Sequence, residues 1–466
     1  MSALSLGGGD TTWITLGCVT TVGFMEHIDH PDVMTSASGR QPRSAATPVV
    51  GHRIRLDRAF VRDPHSLYRR LRVDAPAHRV EIWGGTVVWL VTRYAEAREL
   101  LSDPRLVKDQ RRVTSLFPPG GAGPMQLAVG ANMLFSDPPT HTRLRRLVAK
   151  AFTVHSVAHM AESITAIADE LLDDIAPASH RGEVDLIARY AAPLPVRVIG
   201  QLLGVPEDVA EQFRELVAPV VTEAKSAVLH DVQRELEALL SRLAEEKRRT
   251  PSNDLLTVLV DAADDGDRLS EAELTATVFL LIFAGYETTV NLIGNGIEAL
   301  ARHPDQFRRL RENPELLGTA VEEFLRYESP LNTATLRVSS VDVQLGETTI
   351  PANELVMISL LSAGRDERQY PAPDTLDVGR HPNPHLAFGH GIHHCVGAPL
   401  ARLEARIAFG RLLERFDRLE LAKEHLGPHR NSLLMRGRES LPVVLREVRR
   451  PIESQEAGGG IDVERT

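Results

Sequence analysis

The chain has 466 residues, 43% of them hydrophobic and 25% charged, which is enough apolar material for a large buried core. Its formal net charge of −10 argues against general binding of nucleic acid. Two cysteines, Cys18 and Cys395, are too few for a disulfide scaffold, so a reducing compartment such as the cytoplasm is expected.

The two ends of the chain differ in composition from its middle. Residues 1–50 are rich in Gly, Ser and Thr and are predicted to be a disordered leader. The uncharged run 11–25 is too short and too polar to cross a bilayer and follows no basic segment, so no membrane span or signal peptide is expected. Residues 51–450 are predicted to be a single domain and residues 451–466 a disordered tail.

Helical periodicity dominates the middle of the chain, where apolar residues recur at i, i+3 and i+4. The predicted helical stretches are 92–101, 141–152, about 157–175, 209–247 and 400–416. Strand signals are fewer and shorter, at 87–92 and in the alternating stretch 335–360. The sequence therefore predicts a mainly α fold with a small β portion.

One predicted helix is unusually long and apolar. Ser270 and Glu273 have the spacing of a capping box, and Pro304 follows the far end, so the helix is predicted to span about 271–302. Its centre, 278–285, is apolar on all sides. A helix of this kind is expected to run through the protein core.

The segment 388–397 contains Cys395 among glycines and histidines. It lies directly before the helix predicted at 400–416. A helix N-terminus lowers a thiol pKa and favours the thiolate, which is the form that binds iron. Two other interpretations are an inert buried cysteine and a zinc site formed by His393, His394 and Cys395. Neighbouring side chains diverge, and no second Cys/His cluster completes a tetrahedral site.

The complete pattern F-G-x-G-x-H-x-C-x-G resembles the haem-binding loop of the cytochrome P-450 family. The likeness extends from about residue 56 to residue 448. It implies the cytochrome P-450 fold, with a long central helix over a haem, and heme b as the cofactor. It makes Cys395 the metal ligand and Phe388, Gly389 and Gly397 cofactor-binding residues.

The segment 284–289 places a glycine, an acid and two threonines inside the long apolar helix. The Thr288 hydroxyl can bond to the Ala284 carbonyl and loosen the helix, or the segment can be a simple bend with a solvated glutamate. It resembles the family motif A-G-x-D/E-T-T. The resemblance implies that Ala284 borders the cofactor and that Glu287 and Thr288 are catalytic, relaying protons to dioxygen.

Two sets of polar and charged residues are given candidate roles from their spacing and their position along the chain. Glu323 and Arg326 lie one helical turn apart, which alone suggests only a solvated ion pair. The resemblance makes them, together with Arg380, a buried structural trio that supports the cysteine-bearing loop. On the helix predicted at 141–152, His141 and Arg145 face one way.

The haem propionates need cationic or hydrogen-bonding partners. By resemblance these are His141 and Arg145, joined by Arg337 and His393. The opposite face of the same helix carries Arg143, Arg146 and Lys150, which form either a docking surface for an acidic electron donor or ordinary solvated cations.

The resemblance implies a monooxygenase that inserts one atom of O2 into a bulky lipophilic molecule such as a macrolide, polyketide, terpenoid or sterol. No flavin or nicotinamide domain is recognised, so electrons are expected from ferredoxin and its NAD(P)H-dependent reductase. A monomer is expected. The alternatives are a peroxide-driven haem peroxygenase and a non-enzymatic helical binding protein without haem.

The substrate pocket is expected where apolar segments meet the predicted cofactor site. These segments are 107–135, 331–335 and 433–435, and the Gly/Pro-rich piece 118–124 is a candidate lid. The residues expected to contact the substrate are Phe283, Ala284, Leu331, Thr335 and Leu434.

Overall fold

The structure, a computed structural model, describes residues 54–118, 132–180, 182–221, 226–264 and 269–448, without the side chains of 217–230, 233 and 264. All described residues belong to one compact unit, His52–Thr466. The predicted leader 1–50, the predicted tail 451–466 and the candidate lid from residue 119 onward lie outside the described residues. The proposed domain limits stay predictions.

Helices make up most of the described chain, as the sequence predicted. They are α1 (Arg58–Arg62), α2 (Pro64–Asp74), α3 (Tyr94–Ser102), α4 (Gln110–Ser115), α5 (Thr140–Ala149), α6 (Val154–Ala158), α7 (Ala161–Ser179), α8 (Pro193–Leu203), α9 (Glu207–Val221), α10 (Ser226–Arg249), α11 (Leu255–Asp264), α12 (Glu271–Arg302), α13 (Pro304–Glu312), α14 (Leu317–Tyr327), α15 (Leu360–Ala363) and α16 (Ala398–Arg415). The stretch 209–247, predicted as one helical region, holds the two described helices α9 and α10.

The strands are short, and they pair both in local hairpins, such as β7 with β8, and across long distances in sequence, such as β4 with β6. They are β1 (Ile54–Arg55), β2 (Ala77–Glu81), β3 (Val87–Val91), β4 (Leu106–Val107), β5 (Val184–Asp185), β6 (Arg337–Ser339), β7 (Val343–Leu345), β8 (Thr348–Ile350), β9 (Leu355–Ile358), β10 (Phe416–Leu421) and β11 (Pro442–Glu447). The largest described sheet has the order β1-β2-β3-β9-β6-β4, and β10-β11-β5 and β7-β8 form two smaller sheets. The strands predicted at 87–92 and within 335–360 are therefore confirmed.

Helix α12 runs through the main hydrophobic core. The Ser270 side chain accepts a hydrogen bond from the Glu273 N–H and the Glu273 side chain accepts one from the Ser270 N–H, which confirms the capping box and the predicted bounds. Among the described residues, α12 is the one helix long and apolar enough to cross a membrane. Protein buries 83% of its most apolar stretch, so packing in the core accounts for its composition.

Helix α16 packs against α7 and α12 and follows directly after the cysteine loop. Buried apolar residues, including Leu400, Phe409 and Leu412, hold it in the same core as α12. The loop that carries Cys395 is therefore fixed by a core helix at one end. This packing places the cysteine and the polar segment of α12 on two walls of one cavity.

Candidate active site

The cysteine loop depends on two glycines with positive φ. Gly389 has φ +71° and Gly391 has φ +75°, a region that side-chain-bearing residues rarely adopt. A Cβ added to Gly391 would lie 2.8 Å from the Cα of Ser102, so the space also requires glycine. The Cys395 N–H donates to the Phe388 carbonyl at 2.8 Å and closes the loop. Backbone conformation and space therefore both favour glycine at position 391.

The Cys395 side chain is exposed, but the surface it exposes is the wall of an internal cavity. Burial raises the pKa of the thiol, whereas hydrogen bonds from the Gly397 and Ala398 N–H groups and the charges of Arg145 and Arg402 lower it. Burial has the larger effect. The N–H groups at the helix start therefore act in the direction that the sequence predicts, and burial of the thiol opposes them.

A cavity of about 250 Å³ lies between the cysteine loop and α12. It brings together every residue that the sequence analysis assigned to the cofactor pocket. These are Cys395, His141, Arg145, Arg337, His393, Phe388, Gly389, Ala284 and Gly397. The five expected substrate contacts, Phe283, Ala284, Leu331, Thr335 and Leu434, line it as well. Leu433 does not line it and packs in a separate core cluster beneath the large sheet.

The polar segment of α12 presents Thr288 to the cavity. The Thr288 hydroxyl donates to the Ala284 carbonyl at 2.7 Å, as the sequence suggested. The hydroxyl of Thr289 makes the equivalent bond to Gly285 at 3.1 Å. The helix continues without interruption through these residues, so the expected local loosening is not seen.

Glu287 does not line the cavity. It is 3% exposed, which rules out the alternative of a solvated glutamate. One of its oxygens, Oε2, has no described hydrogen-bond partner, and its Oε1 lies 4.0 Å from Nη1 of Arg430. Arg430 is itself partly exposed, so this pair extends from the buried side of α12 toward the surface.

Several nitrogen atoms of the cationic and imidazole groups in the cavity lack hydrogen-bond partners among the described residues. Both ring nitrogens of His141, Nε2 of His393 and Nε of Arg337 are buried without a described hydrogen bond. The rings of His141 and His393 lie 4.5 Å apart, and burial lowers the pKa of His393 to about 2. Unpaired buried donors of this kind are satisfied by an anion. The set therefore fits the two carboxylates of a haem.

Lys108 lies beside the four predicted propionate-binding residues. The sequence analysis placed it only in the wall of the substrate pocket. Lys108 is 3% exposed and lines the same cavity. Its position in the short strand region after β4 gives no sequence signal for a cofactor contact. Only the pairing of β4 with β6, which is distant in sequence, brings it beside Arg337.

The docking surface proposed on α5 is smaller than expected. Arg143 forms an ion pair with Glu273 at the start of α12. Arg143 therefore joins two helices rather than facing solvent alone, whereas Arg146 and Lys150 are exposed. Arg145 faces the cavity, and its Nη2 donates to the His394 carbonyl at 2.7 Å.

Glu323, Arg326 and Arg380 meet in the core. Glu323 and Arg326 are both fully buried and share two hydrogen bonds of 2.7 Å, and Nε of Arg380 lies 3.2 Å from Oε2 of Glu323. Asn383, on the way to the cysteine loop, donates to the same Oε2 at 3.1 Å. The geometry excludes the alternative of a solvated pair.

Metal binding by side chains alone finds no support in the described part of the chain. No group of three or more His, Cys, Asp or Glu side chains there could hold a metal ion. The alternative of a zinc site at His393, His394 and Cys395 therefore lacks a ligand set among these residues.

A free cysteine before a helix N-terminus, a cluster of buried imidazole and guanidinium groups and a long buried helix surround one cavity, and this arrangement fits the class of haem-thiolate proteins. The chain belongs to the cytochrome P450 family, whose family model, described as Cytochrome P450, matches residues 200–440.

Three similar proteins support this assignment. Cytochrome P450 107B1 of Saccharopolyspora erythraea is 45% identical over 397 residues, which cover 83% of this chain and 96% of that protein. Vitamin D(3) 25-hydroxylase of Pseudonocardia autotrophica is 44% identical over 391 residues, with 83% and 94% covered. The structure of the tirandamycin C-bound P450 monooxygenase TamI has a TM-score of 0.79 at 45% identity and covers 84% of this chain and 100% of that one.

Membership of this family gives the chain its cofactor and its class of reaction. The cofactor is a haem iron, and the enzyme is a P450 monooxygenase. The predictions of family, fold class and enzyme class are therefore confirmed.

Proposed function

We propose that this P450 monooxygenase uses heme b to insert one oxygen atom of O2 into a bulky lipophilic natural product, by hydroxylation or epoxidation. The observation that carries the proposal is a single cavity onto which Cys395, the unpaired nitrogen groups and Thr288 all face. Its substrate side is lined by apolar residues, and its opposite side by groups suited to carboxylates.

The chain would hold heme b through two kinds of contact. Cys395 would be the axial ligand, and His141, Arg145, Arg337 and His393 would bind the propionates. The residues left to pack against the cofactor are Phe388, Gly389, Gly397 and Ala284. When bound, the haem iron supplies the activation of O2, with one oxygen atom going to substrate and the other to water.

Thr288 and Glu287 would supply protons to this reaction. The Thr288 hydroxyl faces the cavity and donates its hydrogen to the Ala284 carbonyl. To deliver a proton, the hydroxyl would rotate away from this carbonyl and donate into the cavity, and its oxygen would accept a replacement proton. Glu287 is adjacent in sequence, buried, and close to the partly exposed Arg430. This arrangement supports a route on which Glu287 recharges Thr288 from the surface.

The substrate would be a neutral lipophilic molecule of the macrolide, polyketide, terpenoid or sterol class. Phe279 and Phe283 stack at 5.6 Å along one wall, and Leu331 and Leu434 form another. The names of two similar proteins point the same way, since one is a vitamin D(3) 25-hydroxylase and the other binds tirandamycin C.

Electrons would come from ferredoxin and an NAD(P)H-dependent ferredoxin reductase. The exposed Arg146 lies on the helix that also places Arg145 at the cavity, and the exposed Lys150 follows this helix directly. An acidic donor bound there would therefore be near the cofactor. Dependence on these reductants supports a cytoplasmic location. We propose that the enzyme acts as a monomer.

A spectral screen tests the substrate class. Macrolides, polyketides, sterols and terpenoids are titrated into the purified ferric enzyme, and displacement of the iron-bound water is followed in the Soret region. We expect members of at least one of these classes to shift the spectrum at micromolar concentration and to yield an oxygenated product with ferredoxin, reductase and NAD(P)H. Small and charged compounds are titrated as a comparison set, and a response limited to them would contradict the proposal.

A further inference from the structure

Lys108 is a buried lysine whose ammonium group has no carboxylate partner among the described residues. Its Nζ donates to the Leu134 carbonyl at 3.2 Å and to the Thr335 hydroxyl, both of which are neutral. Oδ2 of Asp137 accepts a hydrogen bond from the Lys108 backbone N–H at 2.9 Å, and no ion pair joins this carboxylate to the Lys108 ammonium group among the described residues. The adjoining segment 119–131 contains no acidic residue.

The strand pairing sets Lys108 beside another cation. β4 pairs with β6 in antiparallel register, with Leu106 opposite Ser339 and Val107 opposite Val338. Extending this register by one residue places Lys108 opposite Arg337, which is also buried. Like charges directly opposite on neighbouring strands repel each other, and burial increases the cost because water is excluded.

The cavity carries further nitrogen-bearing side chains, whereas the nearby carboxylate of Asp137 lies outside the cavity lining. Arg145, His141 and His393 line the same cavity. Burial and then the neighbouring Arg337 lower the pKa of Lys108 well below its ordinary value, and Asp137 acts in the opposite direction. A cluster of this kind is stabilised when an anion enters it, because each buried donor then gains a charged acceptor.

We propose that Lys108 binds a haem propionate, as a fifth group beside His141, Arg145, Arg337 and His393. This inference rests on the haem cofactor of the family and on the propionate site proposed above. Lys108 would thus be a cofactor-positioning residue contributed by the strand region after β4. Its hydrogen bond to Thr335 also connects the cofactor site to the wall of the substrate pocket.

Three variants of the holoenzyme separate the charge of Lys108 from its hydrogen bonds. Lys108→Met removes both, Lys108→Gln keeps a donor without charge, and Lys108→Arg keeps the charge. Haem loss is followed as transfer to excess apomyoglobin, and the reduction potential is measured by spectroelectrochemistry. The matched control is Lys423→Met, an exposed lysine that does not line the cavity.

We expect Lys108→Met and Lys108→Gln to lose haem about tenfold faster than wild type, as removal of a charge-assisted hydrogen bond predicts. Their reduction potentials should be more negative, because a lost positive charge no longer favours the reduced iron. Lys108→Arg and Lys423→Met should resemble wild type.

Several results would overturn the inference. A Lys108→Met variant with the haem transfer rate and reduction potential of wild type would do so. A Lys108→Gln variant with wild-type values would do so as well, because it would assign Lys108 a purely structural bond to Leu134 and Thr335. Unchanged haem retention with weakened binding of a fatty acid would instead make Lys108 a substrate group. Absence of a thiolate-ligated haem in the wild-type protein would refute the proposed haem site itself. This outcome is distinguishable because it is observed in the spectrum of the wild type and not in the Lys108 variants.

Discussion

At the scale of single residues, Thr288 is the side chain on which the proposed proton delivery most depends. Thr288→Ala removes the hydroxyl that faces the cavity and leaves Cys395 and the nitrogen cluster intact. We expect product formed per electron pair to fall by ~10-fold or more, since a positioned proton donor contributes ~10²–10⁴-fold to a rate and water replaces it in part. The measurement compares product, hydrogen peroxide and NAD(P)H consumed, and peroxide should rise.

Thr277→Ala is the matched control for this experiment. Thr277 is a buried threonine of the same helix whose hydroxyl has no described partner, and it does not line the cavity. Its loss should leave coupling near wild type. If Thr288→Ala couples as well as Thr277→Ala with a substrate that has no hydroxyl near the oxidised carbon, Thr288 has no role in proton transfer.

Gly391 tests whether the geometry of the cysteine loop is required. Gly391→Ala imposes φ +75° on an alanine and sets its Cβ 2.8 Å from the Cα of Ser102. We expect a loss of about 1–3 kcal/mol in the free energy of unfolding, together with faster haem loss. Gly318→Ala is the control, since nothing lies within 4 Å of its added Cβ. Equal effects of the two changes on haem retention would show that the loop tolerates a side chain.

Which site residues could be predicted depended on how locally they are determined. Gly389, Gly391 and Cys395 lie in one short motif, so their arrangement could be inferred from sequence. Lys108 could not, because its neighbour Arg337 is more than 200 positions away and is reached only through the pairing of β4 with β6. The effect of the helix N-terminus on the thiol pKa could be predicted locally, whereas the opposing effect of burial is a property of the whole fold.

At the scale of elements, ion pairs connect α14 to the cysteine loop and to α16. Glu322 on α14 accepts from Arg402 on α16 at 2.7 Å and is hydrogen-bonded to His385 at 2.9 Å. Burial acts to raise its pKa, but the hydrogen bonds of Arg402 and His385 lower the pKa of Glu322 to about 2. The stability that this carboxylate provides is therefore complete above pH 4.5 and is lost as the pH falls toward about 2.

Glu322→Gln should reveal this dependence. We expect the variant to be less stable than wild type near neutral pH, and the difference in unfolding free energy to shrink as the pH falls from 4.5 toward 2. Urea unfolding at a series of pH values measures it. Glu315→Gln, a change at an exposed carboxylate, is the control and should show a small, pH-independent difference. A difference in unfolding free energy between wild type and Glu322→Gln that does not change with pH would contradict this interpretation.

Elements with strong local signals were predicted accurately. The capping box at Ser270 predicted the start of α12 and Pro304 its end, since local contacts determine both. The region 209–247 has continuous helical periodicity, and its division into α9 and α10 depends on packing that periodicity does not encode. The ion pair of Arg143 with Glu273 was missed for the same reason, because it joins α5 to α12.

At the scale of the whole molecule, the reaction requires an electron donor to dock. Charge reversal at the exposed Arg146 and Lys150 should slow reduction by ferredoxin, with a larger defect at low ionic strength, where charges are less screened. Stopped-flow reduction at several salt concentrations measures the rate. Lys423→Glu, a change at an exposed lysine far along the chain from α5, is the control. A rate that is unchanged at low salt would place docking on another surface.

The central claim is that Cys395 is the axial ligand of a haem held in this cavity. The most direct test is the difference spectrum of the reduced protein under carbon monoxide, recorded for wild type and for Cys395→Ala. We predict the red-shifted Soret band of a thiolate-ligated haem in the wild type and its complete loss, with all monooxygenase activity, in the variant. Retention of the wild-type band in Cys395→Ala would contradict the claim.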